Sequence, residues 1–468
     1  MMTNELAVKF VEVYKDSDLL PANLDERLSF LALLTIELLA ITEHGKYQKF
    51  LTNLQVSDDI KSIDVEKFDF TDSEQLVVKQ AIAHLNDEKI NKLLSRFNEI
   101  HEAFDLSKLT RFESITLYEQ TLKLLQEPKI YELIQSDAKG FDFQLRPDDF
   151  SRLIASIVKS NEKLKVYDAM ASTGEVSNYL AQLNPHWHFT TESLLQNPYY
   201  LVHKFVLAGN DDCVVSQSYS LNSTPFIKAS TFDLAFALYE PTAVRKASGS
   251  KVKKSKEGGV LSGHYDPKRI DLDIISSQYN DHAILQHLIW SINKTGLAIA
   301  FVGRGSLQRI EEAKSRKFLI ENNYVDAVIQ LPTSLISART VDLFAIVLRK
   351  NKQTDDIVFI DASSYFNRDI KRNRLIREDE IATILAERKN ITDICQVITN
   401  GQVEKLSLID EATNESNFSL NVASYISRSK KIVDPTSIDE LIDELRLIQE
   451  NSNQLFDKLM KKFKNNYH

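Results

Sequence analysis

Apolar residues in the first third of the chain recur at helical spacing. In "LDERLSFLALLTIELLAI", Leu24 to Ile41, Asp25 and Glu26 precede an apolar run too long for one exposed strand. "SEQLVVKQAIAHLNDEKINKLLSRFNEI" and "SITLYEQTLKLLQEP" repeat that spacing, with Pro128 as a stop signal. No candidate strand precedes about residue 160, so residues 1–145 are expected to form a helical domain.

The period then shortens. "KVYDA", "HFTTE", "CVVSQ", "FDLAFAL", "GLAIAFVG", "VDAVIQLP", "LFAIVLRK" and "DIVFIDAS" are short, apolar and often β-branched, and helical segments separate most of them. Strands alternating with helices imply an α/β domain over 146–430. Its sheet should be doubly wound, Rossmann-like and mostly parallel, covered on both faces. "LFAIVLRKNKQTDDIVFIDAS" has no room for an intervening helix, so its two strands are expected to form an antiparallel hairpin.

Two segments break the rhythm. Val244 to Gly263 carries Arg245, Lys246, Lys251, Lys253, Lys254 and Lys256 among Ser and Gly, as in a long loop. It admits two readings: a solvated charge run, or a phosphate-contacting loop beside the ligand edge. The tail, 431–468, is expected to be helical. Ile438, Leu441, Leu445, Ile448, Leu455 and Leu459 recur at alternating spacings of three and four, with Ser452 in the gap. That fits either a coiled-coil seam or a helix packed on its own domain. Ile442, Leu447, Phe456 and Met460 make it apolar on more than one side, which favours a partner.

Composition narrows the function classes. A net charge of -9 argues against coating nucleic acid by charge alone, though not against a local basic strip. Cys213 and Cys395 lack partners at metal spacing, and no metal site or disulfide framework is expected; a cytoplasmic setting follows. The amino end lacks the basic flank and apolar run of a signal peptide, and no apolar run approaches the roughly 20 residues that span a bilayer. Glycine is scarce, at 12 residues in 468.

That scarcity bears on "KVYDAMASTGEVSNYL", Lys165 to Leu180, which reads as strand, tight turn and helix start. Backbone N–H groups in such a turn cradle anions, and glycines there allow positive φ and close ligand approach. Here only Gly174 is present. Asp168 ends the first strand, where it could hold a cofactor amine. Glu192 ends the next, where an acidic side chain would meet ribose hydroxyls. Ordinary strand-end capping by both residues stays open.

These stretches resemble the modification (methyltransferase) subunit of type I restriction–modification systems. Its first motif reads like D-P-x-x-G-S-G-G; "DAMASTGE" matches at Asp168 and Gly174 and departs at Ala169, Ser172 and Glu175. "FDLAFAL", "AILQHLIWSINKTGLAIAFVGRGSL", "LIENNYVDAVIQLPTSLISARTVDLFAIVLRKNK", "IVFIDASSYF" and "NESNFSLNVASYI" are similar to further family segments, so the likeness spans roughly 150–426. The resemblance implies a helical amino-terminal domain, a DNA adenine-N6 methyltransferase domain, S-adenosylmethionine as cofactor, and DNA and specificity-type subunits as partners.

The resemblance also implies an N-P-P-Y or N-P-P-F motif after the fourth strand, whose Asn accepts hydrogen bonds from the flipped adenine's amine. This chain has "ALYEPTAV", with Leu238 at the Asn position, or Tyr239 after a one-residue slip that puts Pro241 on the second proline; Glu240 lies between. The family's acidic residue after the third strand falls near Ser218, Tyr219, Ser220 and Leu221. The expectation is therefore a non-catalytic relative that is structural or DNA-engaging, with no functional catalytic residue. Asp168, Ser172, Gly174 and Glu192 should bind cofactor weakly or not at all. Lys251, Lys253, Lys254 and Lys256 should contact DNA weakly, and the tail should hold a partner. The alternatives are an active methyltransferase with divergent motifs and a nucleotide- or S-adenosylmethionine-binding module.

Overall fold

The computed structural model describes residues 6, 10, 24–43, 45–57, 59–125, 148–171, 174–193, 199–210, 213–217, 227–238, 268–271, 273–276, 279, 281–336, 342–368, 372–407, 409 and 416–426. All lie in one compact unit, Met1–Ile426. The expected tail helix, the basic loop, Pro128, Ser172 and residues 239–241 fall outside the described residues.

As the spacing predicts, no described residue before Lys165 is in a strand. Helices span Leu24–Thr42, Lys46–Val56, Asp72–Ala83, Asp87–Phe104 and Arg111–Leu125. The stretch from Ser73 to Ile100 is two helices rather than one. Asn86 breaks it by accepting from the Lys89 N–H at 2.8 Å, which caps the second helix. The first of the five helices is apolar nearly all round because it is buried on most sides, from Leu28 to Ala40. The helix Tyr199–Leu207 receives this layer: His203, closed to solvent, hydrogen-bonds Tyr118 Oη through Nδ1 and Gln80 Oε1 through Nε2, both at 2.8 Å.

A nine-stranded sheet follows. Its strands are β1 Lys165–Asp168, β2 His188–Ser193, β3 Cys213–Gln217, β4 Phe232–Leu238, β5 Ile292–Gly303, β6 Val325–Gln330, β7 Leu343–Arg349, β8 Asp356–Asp361 and, after the separate ribbon of β9 Phe366–Arg368 and β10 Asn373–Leu375, β11 Cys395–Thr399. The order across the sheet is β11-β8-β6-β7-β5-β4-β1-β2-β3. Strands β1 to β5 pair in parallel, and both faces are buried, one against the helical layer and the other against Asp281–Ser291 and its neighbours.

One pairing differs from expectation. β7 and β8 run antiparallel but do not pair, because β6 lies between them, antiparallel to β7 and parallel to β8. A linker too short for a helix still crosses one strand. Two inter-strand spacings are about 10 Å, and six extended residues reach about 20 Å. β9, β10 and β11 are absent from the sequence-based expectation; β9 is exposed throughout and gives no alternating pattern.

Candidate cofactor and catalytic edge

The order β3-β2-β1-β4-β5 reverses direction at β1, so the switch point lies between β1 and β4. Parallel pairing brings Asp168, Ser193, Gln217, Leu238 and Gly303, the last residues of these strands, to one edge. In register Asp168 faces Thr191 on one side and Phe236 on the other. The structure thus assembles the strand ends that the sequence singled out.

At the first turn Gly174 has φ 78°, the left-handed conformation, and opens the helix Glu175–Leu183. Its missing side chain has a second consequence. A Cβ there would collide with Leu201 Cδ2, so a leucine from the Tyr199–Leu207 helix occupies that space. Lys204, one helical turn beyond Leu201, is 1% exposed and sits 3.7 Å from the Glu175 carboxylate. Glu175 is thereby paired with a buried ammonium. Asp168 is 1% exposed and engaged within its own turn: it accepts from Ser177 Oγ, and from the Met170 N–H at 3.1 Å.

Glu192 is equally buried, and Tyr167 Oη donates to its Oε2 at 2.6 Å. Tyr167 Oη also lies 2.7 Å from His287 Nε2, and His287 Nδ1 lies 3.4 Å from Arg269 Nη1. Burial, reinforced by Glu192, lifts the Tyr167 phenol well above its usual range, while burial and then Arg269 push His287 down to about 3. Sequence reasoning found Glu192 and missed its partners. The available signal was two histidines inside the otherwise apolar "HAILQHLIW".

Leu238 ends β4 paired to Phe301 and is 1% exposed. The last described position of that strand is thus an alkyl side chain. Tyr239, Glu240, Pro241 and the stretch 218–221 lie outside the described residues, as do Lys251, Lys253, Lys254 and Lys256.

Beyond β5, the described residues form a second buried polar cluster. Arg316 is closed to solvent and donates to the carbonyl oxygens of Asn417, Phe418, Ser306 and Arg309. His282 contacts the Ser306 carbonyl oxygen through Nε2 at 2.8 Å and Ser315 Oγ through Nδ1 at 3.0 Å. Arg309 bridges Asp281 at 2.7 Å and Glu312 at 2.9 Å. Burial, with Asp281 adding to it, raises Glu312 to about 7. These contacts fasten "NFSLN" to the "GRGSL" turn.

Residues 264–433 match the family model described as N-6 DNA Methylase. The type I restriction enzyme MpnII methylase subunit of Mycoplasma pneumoniae is 33% identical over 172 residues, which are 35% of this chain and 30% of that protein. The MjaVIII methylase subunit of Methanocaldococcus jannaschii is 27% identical over 161 residues, 33% of this chain and 25% of that one. Over that stretch the chain is similar to the methylase subunits of type I restriction enzymes. The matched stretch spans under a third of each relative. Two solved structures share the fold. A type I modification subunit from Vibrio vulnificus has a TM-score of 0.61 at 13% identity, covering 94% of this chain and 98% of that one. A type I methyltransferase subunit from Streptococcus thermophilus has a TM-score of 0.57 at 14% identity, covering 91% and 100%. Among the described residues no helix is long and apolar enough to cross a membrane, and no cluster of His, Cys, Asp or Glu could hold a metal ion.

Proposed function

We propose that this chain is a non-catalytic counterpart of a type I modification subunit, acting as a structural or DNA-engaging component of a DNA modification or defence complex. Leu238 carries the reading. Transfer to an adenine amine calls for a short planar polar acceptor at the end of β4; Leu238 supplies none, and Tyr239, after a one-residue slip, supplies only a phenol. Losing one well-placed polar group from a transition state costs about 10²–10³ in rate.

The cofactor edge supports the same reading. S-adenosylmethionine, the family's methyl donor, would need Asp168, the Gly174 turn and Glu192. Asp168 already accepts from Ser177 and Met170, Leu201 fills the space beside Gly174, Glu175 is bound to Lys204, and Glu192 accepts from Tyr167. With Ser172 and Glu175 where the family's first motif has glycine, the turn fits the cofactor poorly.

What remains is partner binding. Lys251, Lys253, Lys254 and Lys256 are proposed to meet DNA phosphates, weakly in a chain of net charge -9. The 431–468 tail is proposed to join a specificity-type or other subunit and so add avidity. The test is labelled methyl transfer from S-adenosylmethionine into duplex DNA by the full chain, alone and with its partner subunits. No label in adenine is expected; robust incorporation would overturn the proposal.

A further inference from the structure

Glu192 stands where the family fold offers an acid to a ligand, yet its described partner is internal. The bonds behind it have only one consistent direction. A guanidinium donates and never accepts, so Arg269 Nη1 donates to His287 Nδ1 at 3.4 Å. That leaves the single proton of neutral His287 on Nε2, which donates to Tyr167 Oη at 2.7 Å. The phenol's one proton then goes to Glu192 Oε2 at 2.6 Å. Each link uses a group already committed by the link before it. All four residues are less than 10% exposed, so a break anywhere leaves a polar group inside the core.

We infer that Glu192 works as the acceptor end of an internal relay. Tyr167 and His287 are positioning residues that tie Arg269, and with it the segment 268–271, to the ligand edge of the sheet. The geometry on either side agrees. Tyr167 is stacked on Phe232 with ring centroids 4.9 Å apart, which fixes the phenol in place. His287 and Trp290 stack one helical turn apart at 5.8 Å, and the Arg269 guanidinium lies 5.4 Å from the Trp290 ring centre. Trp290 therefore reports on the Arg269 end of a relay whose other end is Glu192. The inference stands apart from the proposed loss of methyl transfer, since the phenol engages Glu192 at Oε2 alone.

The experiment reads Trp290 in the full chain. The only other tryptophan, Trp187, is replaced by Phe to isolate the signal. Tyr167→Phe and Glu192→Ala should each shift Trp290 emission and its acrylamide quenching by the same amount. The double variant should shift no further, since both cut one chain. Glu192→Gln keeps an acceptor oxygen and should restore the parent spectrum, which simple loss of packing would not do. If Trp187→Phe unfolds the chain, the same comparison is made on the His287 imidazole resonances. Unchanged Trp290 or His287 signals in Glu192→Ala, or shifts that add independently, would overturn the relay. A methyl-transfer signal with the relay intact would instead sink only the proposed function.

Discussion

Arg316 Nη2 lies 2.7 Å from the carbonyl oxygen of Asn417, joining residues 101 apart in sequence. The planar guanidinium serves several carbonyls at once, which a lysine ammonium cannot match in direction. Burial lowers its pKa only to about 10, so it stays charged at neutral pH. Arg316→Lys is expected to lose about 2–4 kcal/mol of stability, on the scale of charged hydrogen bonds left unmade. Urea denaturation measures the loss, and amide exchange should rise first at residues 417–420.

Gly174→Ala should destabilise through two separable causes. The left-handed backbone costs any side chain about 1 kcal/mol, and the added methyl collides with Leu201. Adding Leu201→Ala removes the collision and leaves the backbone cost. The double variant should therefore recover part of the Gly174→Ala loss when compared with Leu201→Ala alone in thermal denaturation.

Two buried groups should titrate with opposite sign. Burial holds His203 at about 3, below its unfolded value near 6.5, so the unfolded chain takes up the proton first. Its contribution is lost as pH falls from about 6.5. Relative to His203→Gln, the parent should lose about 2 kcal/mol between pH 7 and pH 5. Glu312, raised to about 7, keeps its proton longer in the folded state and loses stability as pH rises. Relative to Glu312→Gln, the parent should lose about 2 kcal/mol between pH 5 and pH 7. Denaturant titrations at the two pH values decide both signs.

Replacing Lys251, Lys253, Lys254 and Lys256 with Gln removes four positive charges proposed to meet phosphates. If all four do, the slope of log K against log salt should become shallower by about 3–4 on duplex DNA. Removing 436–468 should instead disrupt assembly and leave the Met1–Ile426 unit folded. Fluorescence anisotropy over a salt series and size-exclusion chromatography separate the two effects.

Strands β1 to β8 were legible because apolar, β-branched runs show themselves directly, and their carboxyl ends located Asp168, Glu192 and Leu238. Pairing was less legible. The short link after Arg349 excludes a helix but does not specify which strand lies alongside. Partnership was least legible of all. Tyr167 precedes Asp168 by one residue and points to the opposite face, so the chain gives no local sign that it meets Glu192. His287 lies 120 residues from Tyr167, a separation at which spacing carries no information about contact.

The placement of β7 has a consequence for synthesis of the chain. β5 and β6 leave the ribosome first, and they point the same way because each is antiparallel to β7. Until β7 arrives, each has an open apolar edge that could pair with the other or with a neighbouring nascent chain. The native sheet forms only if that gap stays one strand wide until Leu343–Arg349 can enter it. This half of the sheet is therefore where chaperone dependence and off-pathway aggregation should concentrate.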